Sequence, residues 1–255
     1  MVSMTQWLTF ALPLAAGLLG GAMNALAGGG TFATMPALIA LGLPGPIANA
    51  TSNVALQPGA LSAAWGFRRG LAPLGGVSVR MLGAITFAGG LAGSVLLVLT
   101  PTRTFDLIIP WLLLIAFAAI ALGRRAADWL RARVQIGAPA LIATQALLGL
   151  YGGYFGGGVG IMTTAAYGLL AGVPPHRLMA PRTLMLAIAN TAAAIVFIGY
   201  GMVRWGACLP MLAGAVVGGW AGAKLGNHLP PAAVRAWTLA LTAATTAVFF
   251  WRAYF

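Results

Sequence analysis

The chain has 255 residues, of which 60% are hydrophobic and only 6% are charged, and its formal net charge is +12. An ordinary soluble domain carries roughly 25% charged residues, so a soluble fold of this length could not cover so much apolar surface. The composition, with a mean hydropathy of +0.94, predicts a single integral membrane domain and no soluble one.

The positive charge collects at the ends of apolar segments, and it lacks the interleaved aromatic residues that single-strand binders use for stacking. We therefore expect no nucleic-acid partner. Basic clusters beside apolar segments are typical of loops that face the cytoplasm, where they would contact anionic lipid headgroups. The residues in these clusters are Arg68, Arg69, Arg124, Arg125, Arg131 and Arg133.

Several apolar stretches approach the roughly 20 residues that a helix needs to cross a bilayer. They are residues 7–26, 76–99, 105–122, 188–202 and 232–251. The first stretch lacks a basic n-region and a cleavage site, which favours a retained span over a signal peptide. Together with shorter apolar pieces between them, these stretches predict an all-α polytopic membrane protein with about 8–10 membrane helical elements.

A glycine-rich break, followed by a short apolar piece and a proline, occurs twice. Gly30 and Pro44 are separated by the same number of residues as Gly160 and Pro174. Each apolar piece would be about 20 Å long as a helix, which is short for a full crossing. Interrupted helices in corresponding halves are typical of secondary transporters, because a broken helix exposes backbone groups to a substrate.

The repeated order of features predicts an internal duplication. Residues 1–123 form the first repeat, residues 138–255 the second, and residues 124–137 a basic cytoplasmic connector. Glycine clusters at 89–93 and 218–222, each preceding a proline by the same distance, add a further match.

The number of crossings in each glycine-broken pair decides the relative orientation of the repeats. Two crossings per pair give five per half and inverted repeats, with eleven basic residues inside and three outside; one crossing gives nine against five. The positive-inside rule favours inversion. The eleven are Arg68, Arg69, Arg80, Arg124, Arg125, Arg131, Arg133, Arg177, Arg182, Lys224 and Arg235.

The glycine breaks predict an anion site. Where a helix begins again, its first amides lack partners and its positive dipole end attracts anions. Tight helix crossing is the alternative use of such glycines. The backbone groups predicted to bind substrate are those of Gly28, Gly29, Gly30, Thr31, Gly158 and Gly160.

Polar side chains near the start of the following spans complete the predicted site, since polar groups inside a bilayer are costly and invite a functional interpretation. Arg182 would supply positive charge in a forked geometry that lysine cannot reproduce; the alternative is an arginine that snorkels to the membrane surface. Neutral hydrogen bonds would come from Asn49, Thr51, Ser52, Asn53 and Thr183.

Residues that support other mechanisms are sparse. Asp106 and Asp128 are the only acids, and neither is deep in an apolar segment, so a buried carboxylate relay for protons is not expected. His176 and His228 lie beside prolines at segment ends, where solvated or capping roles are expected, and Cys208 is alone. Without a nucleophile motif, a metal-ligand cluster or a phosphate-binding loop, we expect no enzymatic activity, no metal and no cofactor.

The motif order also resembles a known family. The segment "AGGGTFATMPALIALGLP", then "ANATSN", a basic "RRG" turn and a second copy opening "GLYGGYFGGGVG" resemble the TauE/SafE sulfite exporters over nearly the whole chain. The resemblance implies transport of sulfite, sulfoacetate or another organosulfonate across the bacterial inner membrane. The stretch "APRTLM", which holds Arg182, departs from the neutral small-polar stretch common in the family.

We therefore expect a secondary transporter or facilitator that exports a small sulfur-containing anion by alternating access. A transporter of another small anion or ion, and a non-transporting membrane scaffold or assembly factor, are the alternatives. The expected partners are the small anionic substrate and the lipid bilayer, and the sequence allows a homodimer.

Overall fold

A computed structural model describes residues 4–131, 137–170, 177–226 and 229–255, and helices make up nearly all of this part of the chain. A short 3-10 turn, Arg68–Gly70, follows the third helix, and the described residues contain no strand beyond one isolated bridge. The all-helical prediction is confirmed. The α-helices are α1 (Met4–Leu26), α2 (Thr31–Ala40), α3 (Gly45–Phe67), α4 (Val79–Leu99), α5 (Thr102–Arg131), α6 (Ala138–Tyr154), α7 (Val159–Leu170), α8 (Met179–Gly199), α9 (Trp205–Gly226) and α10 (Pro231–Tyr254).

Six described helices contain a stretch that is long and apolar enough to cross a membrane, which confirms a polytopic membrane fold. The helices α2 and α7, which follow the two glycine breaks, are apolar but much shorter. The six stretches are Thr9–Leu26, Val79–Leu99, Thr102–Leu122, Met179–Gly199, Trp205–Leu225 and Ala232–Tyr254.

Helix α5 extends into the segment that the sequence predicts as a basic connector. The helix continues to Arg131, so the first part of the predicted connector at 124–137 is helical. Residues 124–131 contain neither glycine nor proline, and arginine, alanine and leucine are good helix formers. The repeat boundaries at 123 and 138 remain a prediction.

Each glycine break reverses the direction of the chain. In the first half, a Cβ atom added at Gly20 of α1 would lie 2.5 Å from Cγ2 of Thr34 and 2.9 Å from the carbonyl oxygen of Gly30, so α2 runs back along α1. In the second half, the Tyr167 hydroxyl donates to Oε1 of Gln145 at 2.6 Å, so α7 likewise runs back along α6. Both broken pairs are antiparallel hairpins.

The hairpins agree with the count of five crossings in each half, because a hairpin returns the chain toward the face from which it came, as two crossings would. The inversion of the repeats and the cytoplasmic side of the eleven basic residues remain predictions. With ten residues, α2 rises about 15 Å, which is half of a hydrocarbon layer of about 30 Å, so α2 alone does not cross it.

The first helix of each half packs against the fourth helix of the other half. Helix α1 packs along α9, and α6 packs along α4, which are the most extensive contacts between described helices. Glycines allow this approach because a methyl group at Gly93 would overlap the carbonyl oxygen of Leu150, and one at Gly218 would overlap that of Leu18. The same reciprocal relation holds for α3 and α8, which pack against each other.

The tight crossing of α4 and α6 gives a testable stability difference. Gly93→Ala should lower the thermal unfolding temperature, because the added methyl group must displace the backbone of Leu150 at a cost of about 1–3 kcal/mol. The matched control is Gly59→Ala in α3, where an added Cβ meets nothing within 4 Å. Both changes gain the same helix propensity, so equal unfolding temperatures in detergent would contradict this packing.

Candidate functional site

The helices before the two breaks end in the same way. Gly28 and Gly156 have positive φ angles of 79° and 76°, in the left-handed region that favours glycine. Their amides donate to carbonyls five residues back, on Met23 at 3.2 Å and Tyr151 at 3.3 Å. The amide of Gly28 is therefore used to close α1, which corrects the prediction that it is free for a substrate.

The next helices also begin alike, and their geometry corrects the predicted register. The carbonyl of Gly30 accepts from Ala33 and Thr34, at 3.1 and 3.2 Å, while the carbonyl of Gly158 accepts from Ile161 and Met162, both at 3.0 Å. Gly30 thus corresponds to Gly158 rather than to Gly160. The amide of Ile161 is engaged and cannot serve a ligand.

Unpaired backbone amides remain at both breaks. No acceptor lies within hydrogen-bond reach of these groups among the described residues. They are the first donors of α2 and α7, where the positive ends of the helix dipoles lie. The amides belong to Gly29, Gly30 and Thr31 at the first break and to Gly157, Gly158, Val159 and Gly160 at the second.

The two breaks touch each other. A Cβ atom at Gly28 would lie 3.0 Å from Cα of Gly160, and one at Gly160 would lie 3.2 Å from Cα of Gly28. Gly158 faces the Phe32 ring, with its added Cβ 3.0 Å from Cζ. The structure therefore brings the two glycine breaks to one point.

Arg182 lies beside this contact. Its side chain is only 7% exposed, which does not fit a snorkelling arginine, and its Cγ lies 3.7 Å from a Cβ added at Gly160. Its Nε has no hydrogen-bond partner among the described residues. The carboxylate of Asp106 lies elsewhere, in a small cleft with Arg252. A buried positive charge without a described partner is costly and calls for a counter-charge.

A polar seam between α3 and α8 adjoins the breaks. Nδ2 of Asn53 donates to Oδ1 of Asn190 at 3.3 Å, and a Cβ at Gly156 would lie 3.3 Å from that same Nδ2. Ser52 Oγ lies 2.5 Å from Thr34 Oγ1, and Thr34 donates to the Gly30 carbonyl at 3.2 Å. Together, the Ser52–Thr34 and Thr34–Gly30 bonds connect the seam to the backbone of the first break.

The seam also contains acceptors without donors. Asn49 donates from Nδ2 to the Tyr154 carbonyl at 3.0 Å, and Gln57 donates to the Ala187 carbonyl at 3.2 Å, yet their amide oxygens have no partner among the described residues. Oδ1 of Asn53 is also buried and has no hydrogen-bond partner among the described residues. Such buried unpaired acceptors are uncommon in folded proteins, and their partner must be a hydrogen-bond donor, such as water or an N–H or O–H group of a ligand.

Two predicted site hydroxyls are committed elsewhere. Thr51 Oγ1 accepts from the backbone amide of Arg204 at 3.0 Å and thereby caps the start of α9. Thr183 Oγ1 donates to the Met179 carbonyl at 2.8 Å, within its own helix. Neither hydroxyl has its bonding directed to the breaks. Thr31 is buried, with 7% exposure, and lies directly at the first break.

Sequence reasoning missed two polar residues of this region, Thr163 and Tyr151. Asn49 and Asn53, which it predicted, lie with Gln57 at intervals of four on one face of α3. Thr163 is fully buried with an unpartnered Oγ1 among the described residues, and Tyr151 donates to the Gly157 carbonyl at 2.8 Å. No local signal pointed to Thr163. His176, His228 and the side chain of Asp128 lie outside the described residues.

A comparison with protein families matches residues 13–249 to the sulfite exporter TauE/SafE family. The chain belongs to the TauE/SafE family. Its relatives include the probable membrane transporter protein YfcA of Escherichia coli, 29% identical over 213 residues, or 83% of this chain and 77% of YfcA. A probable membrane transporter protein of Haemophilus influenzae is 28% identical over 212 residues, or 82% of each chain. No solved structure matches the chain.

The TauE/SafE assignment and the apolar helices together identify a multi-pass membrane transporter of the bacterial inner membrane. A transporter is not an enzyme, and the names of the relatives agree with that distinction. The glycine breaks of this TauE/SafE protein lie inside the matched range.

The contact between the breaks predicts a difference between two glycines with similar backbones. Gly28 and Gly42 have φ angles of 79° and 85°, so alanine at either position costs about 1–2 kcal/mol of strain. Only Gly28→Ala also crowds Gly160, since nothing lies within 4 Å of a Cβ at Gly42. Thermal unfolding should show a larger loss for Gly28→Ala, and equal losses would contradict the contact.

Proposed function

We propose that this transporter moves a small sulfur-containing oxyanion, such as sulfite, sulfoacetate or another organosulfonate, out of the cell by alternating access. The observation that carries the proposal is the buried Arg182, which lies without a described counter-charge beside two breaks with unpaired amides. An oxyanion would supply what each of these groups lacks. The description of the matched family, sulfite exporter, supports the sulfur-containing class.

The donor set suits a compact anion with several oxygen atoms. A guanidinium offers two parallel N–H groups to two oxygens of one ligand, and the amides of Gly29, Gly30, Thr31 and Gly158 would hold the remaining oxygens. The Nδ2 group of Asn53, which gives one of its two protons to Asn190, would add a neutral donor to the shell. A substrate bound by amides and one arginine needs no metal and no carboxylate.

The hairpins suggest how access alternates. With inverted repeats they would enter from opposite faces, and because their tips meet at Gly28 and Gly160, the contact would close the path between the two faces. Rocking of one hairpin and its partner helices against the other would open the site to one face at a time.

The membrane potential is sufficient to drive export. A negative interior favours exit of an anion by about 2.3 kcal/mol per charge per 100 mV. Among side chains that the structure describes, the one carboxylate is Asp106, in the second turn of α5 and away from the breaks. We therefore propose uncoupled, voltage-driven export, without a carboxylate relay for protons.

Removing the guanidinium tests the proposal. Arg182→Ala should abolish sulfite or sulfoacetate flux in proteoliposomes with an imposed voltage. Because Nε of Arg182 has no described hydrogen-bond partner to lose, the variant should unfold at the same temperature as the wild type or higher, as expected when a residue serves function at the expense of stability.

Two matched variants complete this experiment. Arg103→Ala removes an exposed arginine of α5 and should leave flux unchanged. Arg182→Lys keeps the charge but loses the fork, so it should retain only part of the flux. Wild-type flux in Arg182→Ala would remove this residue from the site, and absence of sulfur-anion flux in the wild type would overturn the proposed substrate.

A further inference from the structure

A separate cavity of about 500 Å³ lies where the end of α3 and the beginning of α8 meet. We call it the arginine vestibule and define it by Arg69, Leu74, Arg177, Ala180 and Pro181, which all line it. Pro181 directly precedes Arg182, so the floor of the vestibule adjoins the candidate site. The cavity takes no part in the site described above.

The walls of the vestibule are held in place by packing. Leu74 forms an isolated bridge with Val77, and both side chains are buried, with 3% and 4% exposure. Leu74 belongs to the same apolar cluster as Leu178, which precedes α8. On the other side, a Cβ at Gly70 would lie 3.2 Å from Cβ of Ala180. The backbones that carry the two arginines are therefore fixed relative to each other.

The charge of the vestibule is positive. Arg69 and Arg177 are both exposed to it, and the first turn of α8 contains no acidic residue that would offset them. A concave surface with charge of one sign concentrates counter-ions and accelerates their association. Arg69 and Arg177 are among the basic residues that the positive-inside rule predicts to be cytoplasmic, so the vestibule would open toward the compartment from which an exported anion comes.

The neighbouring arginine is arranged differently. The Arg68 guanidinium lies 3.9 Å from the centre of the Trp65 ring and donates to the Trp65 carbonyl at 2.7 Å. It does not line the vestibule. Arg68 and the exposed Arg80 thus provide charge-matched controls on the same face.

We propose that the arginine vestibule is a second oxyanion-binding site, which collects the anion at the cytoplasmic face before it reaches Arg182. This inference rests on the proposed function. The ligand is an oxyanion with room for an organic substituent, since the cavity of about 500 Å³ is much larger than sulfite alone needs. In this proposal the vestibule binds the anion first, and Arg182 binds it during its passage across the membrane.

The test measures uptake of radiolabelled sulfite into inverted inner-membrane vesicles, which present the cytoplasmic face outward. The double variant R69Q/R177Q should raise KM about tenfold, at the low end of the range for electrostatic focusing, with little change in kcat. Its KM should also depend less on ionic strength than that of the wild type. The double control R68Q/R80Q removes the same charge and should keep the wild-type KM.

The outcomes separate this proposal from the one it rests on. Equal KM values for R69Q/R177Q and R68Q/R80Q, with normal wild-type uptake, would overturn the vestibule and leave the proposed transport intact. No sulfite or sulfonate uptake by the wild type would instead overturn the proposed function.

A lipid headgroup also carries a phosphate oxyanion and is the other source of a ligand for the vestibule. Kinetics in proteoliposomes of defined lipid composition distinguish the headgroup from the dissolved anion. A KM difference in purely zwitterionic phosphatidylcholine supports capture of the dissolved anion, whereas a difference seen only with added anionic lipid would overturn it.

Discussion

The demand that backbone polar groups be satisfied inside a bilayer governs this structure. Water is scarce at mid-membrane depth, and each unpaired N–H group there costs free energy, so spanning segments are normally continuous helices. This chain departs from that rule twice, at residues 28–30 and 156–158, and brings the two departures together. Irregular backbone is tolerated at this depth where it is buried in protein or lines a cavity for a polar solute.

The rest of the fold keeps the two breaks in position. Each hairpin is held by a helix of the opposite half, α1 by α9 and α6 by α4, along glycine-lined crossings where side chains would not fit. Helices α3 and α8 pack together and contribute amide and hydroxyl groups to the same region. Because each half supplies the support for the other, neither break could keep its geometry without the other half of the chain.

The sequence predicted both breaks correctly, because three consecutive glycines weaken a helix and readily adopt the left-handed conformation that ends it. The predicted register between the two breaks was wrong by two residues. The matching prolines suggested Gly160 as the counterpart of Gly30, but Gly158 is the residue whose carbonyl accepts the same helix-starting hydrogen bonds as that of Gly30. Local spacing does not reveal which glycine closes a helix. The bonding of Thr51 to α9 and the contact between Gly160 and Arg182 depend on tertiary packing, which no single segment encodes.

The central claim is that an anion binds to the unpaired amides where the two breaks meet. Hydrogen exchange of the protein in nanodiscs, followed by mass spectrometry with saturating sulfite or with chloride at equal ionic strength, tests it most directly. Sulfite should slow exchange in peptides covering residues 29–31 and 157–160, while the loop at 71–78 stays unchanged. Unaltered exchange at both breaks under saturating sulfite would contradict the account.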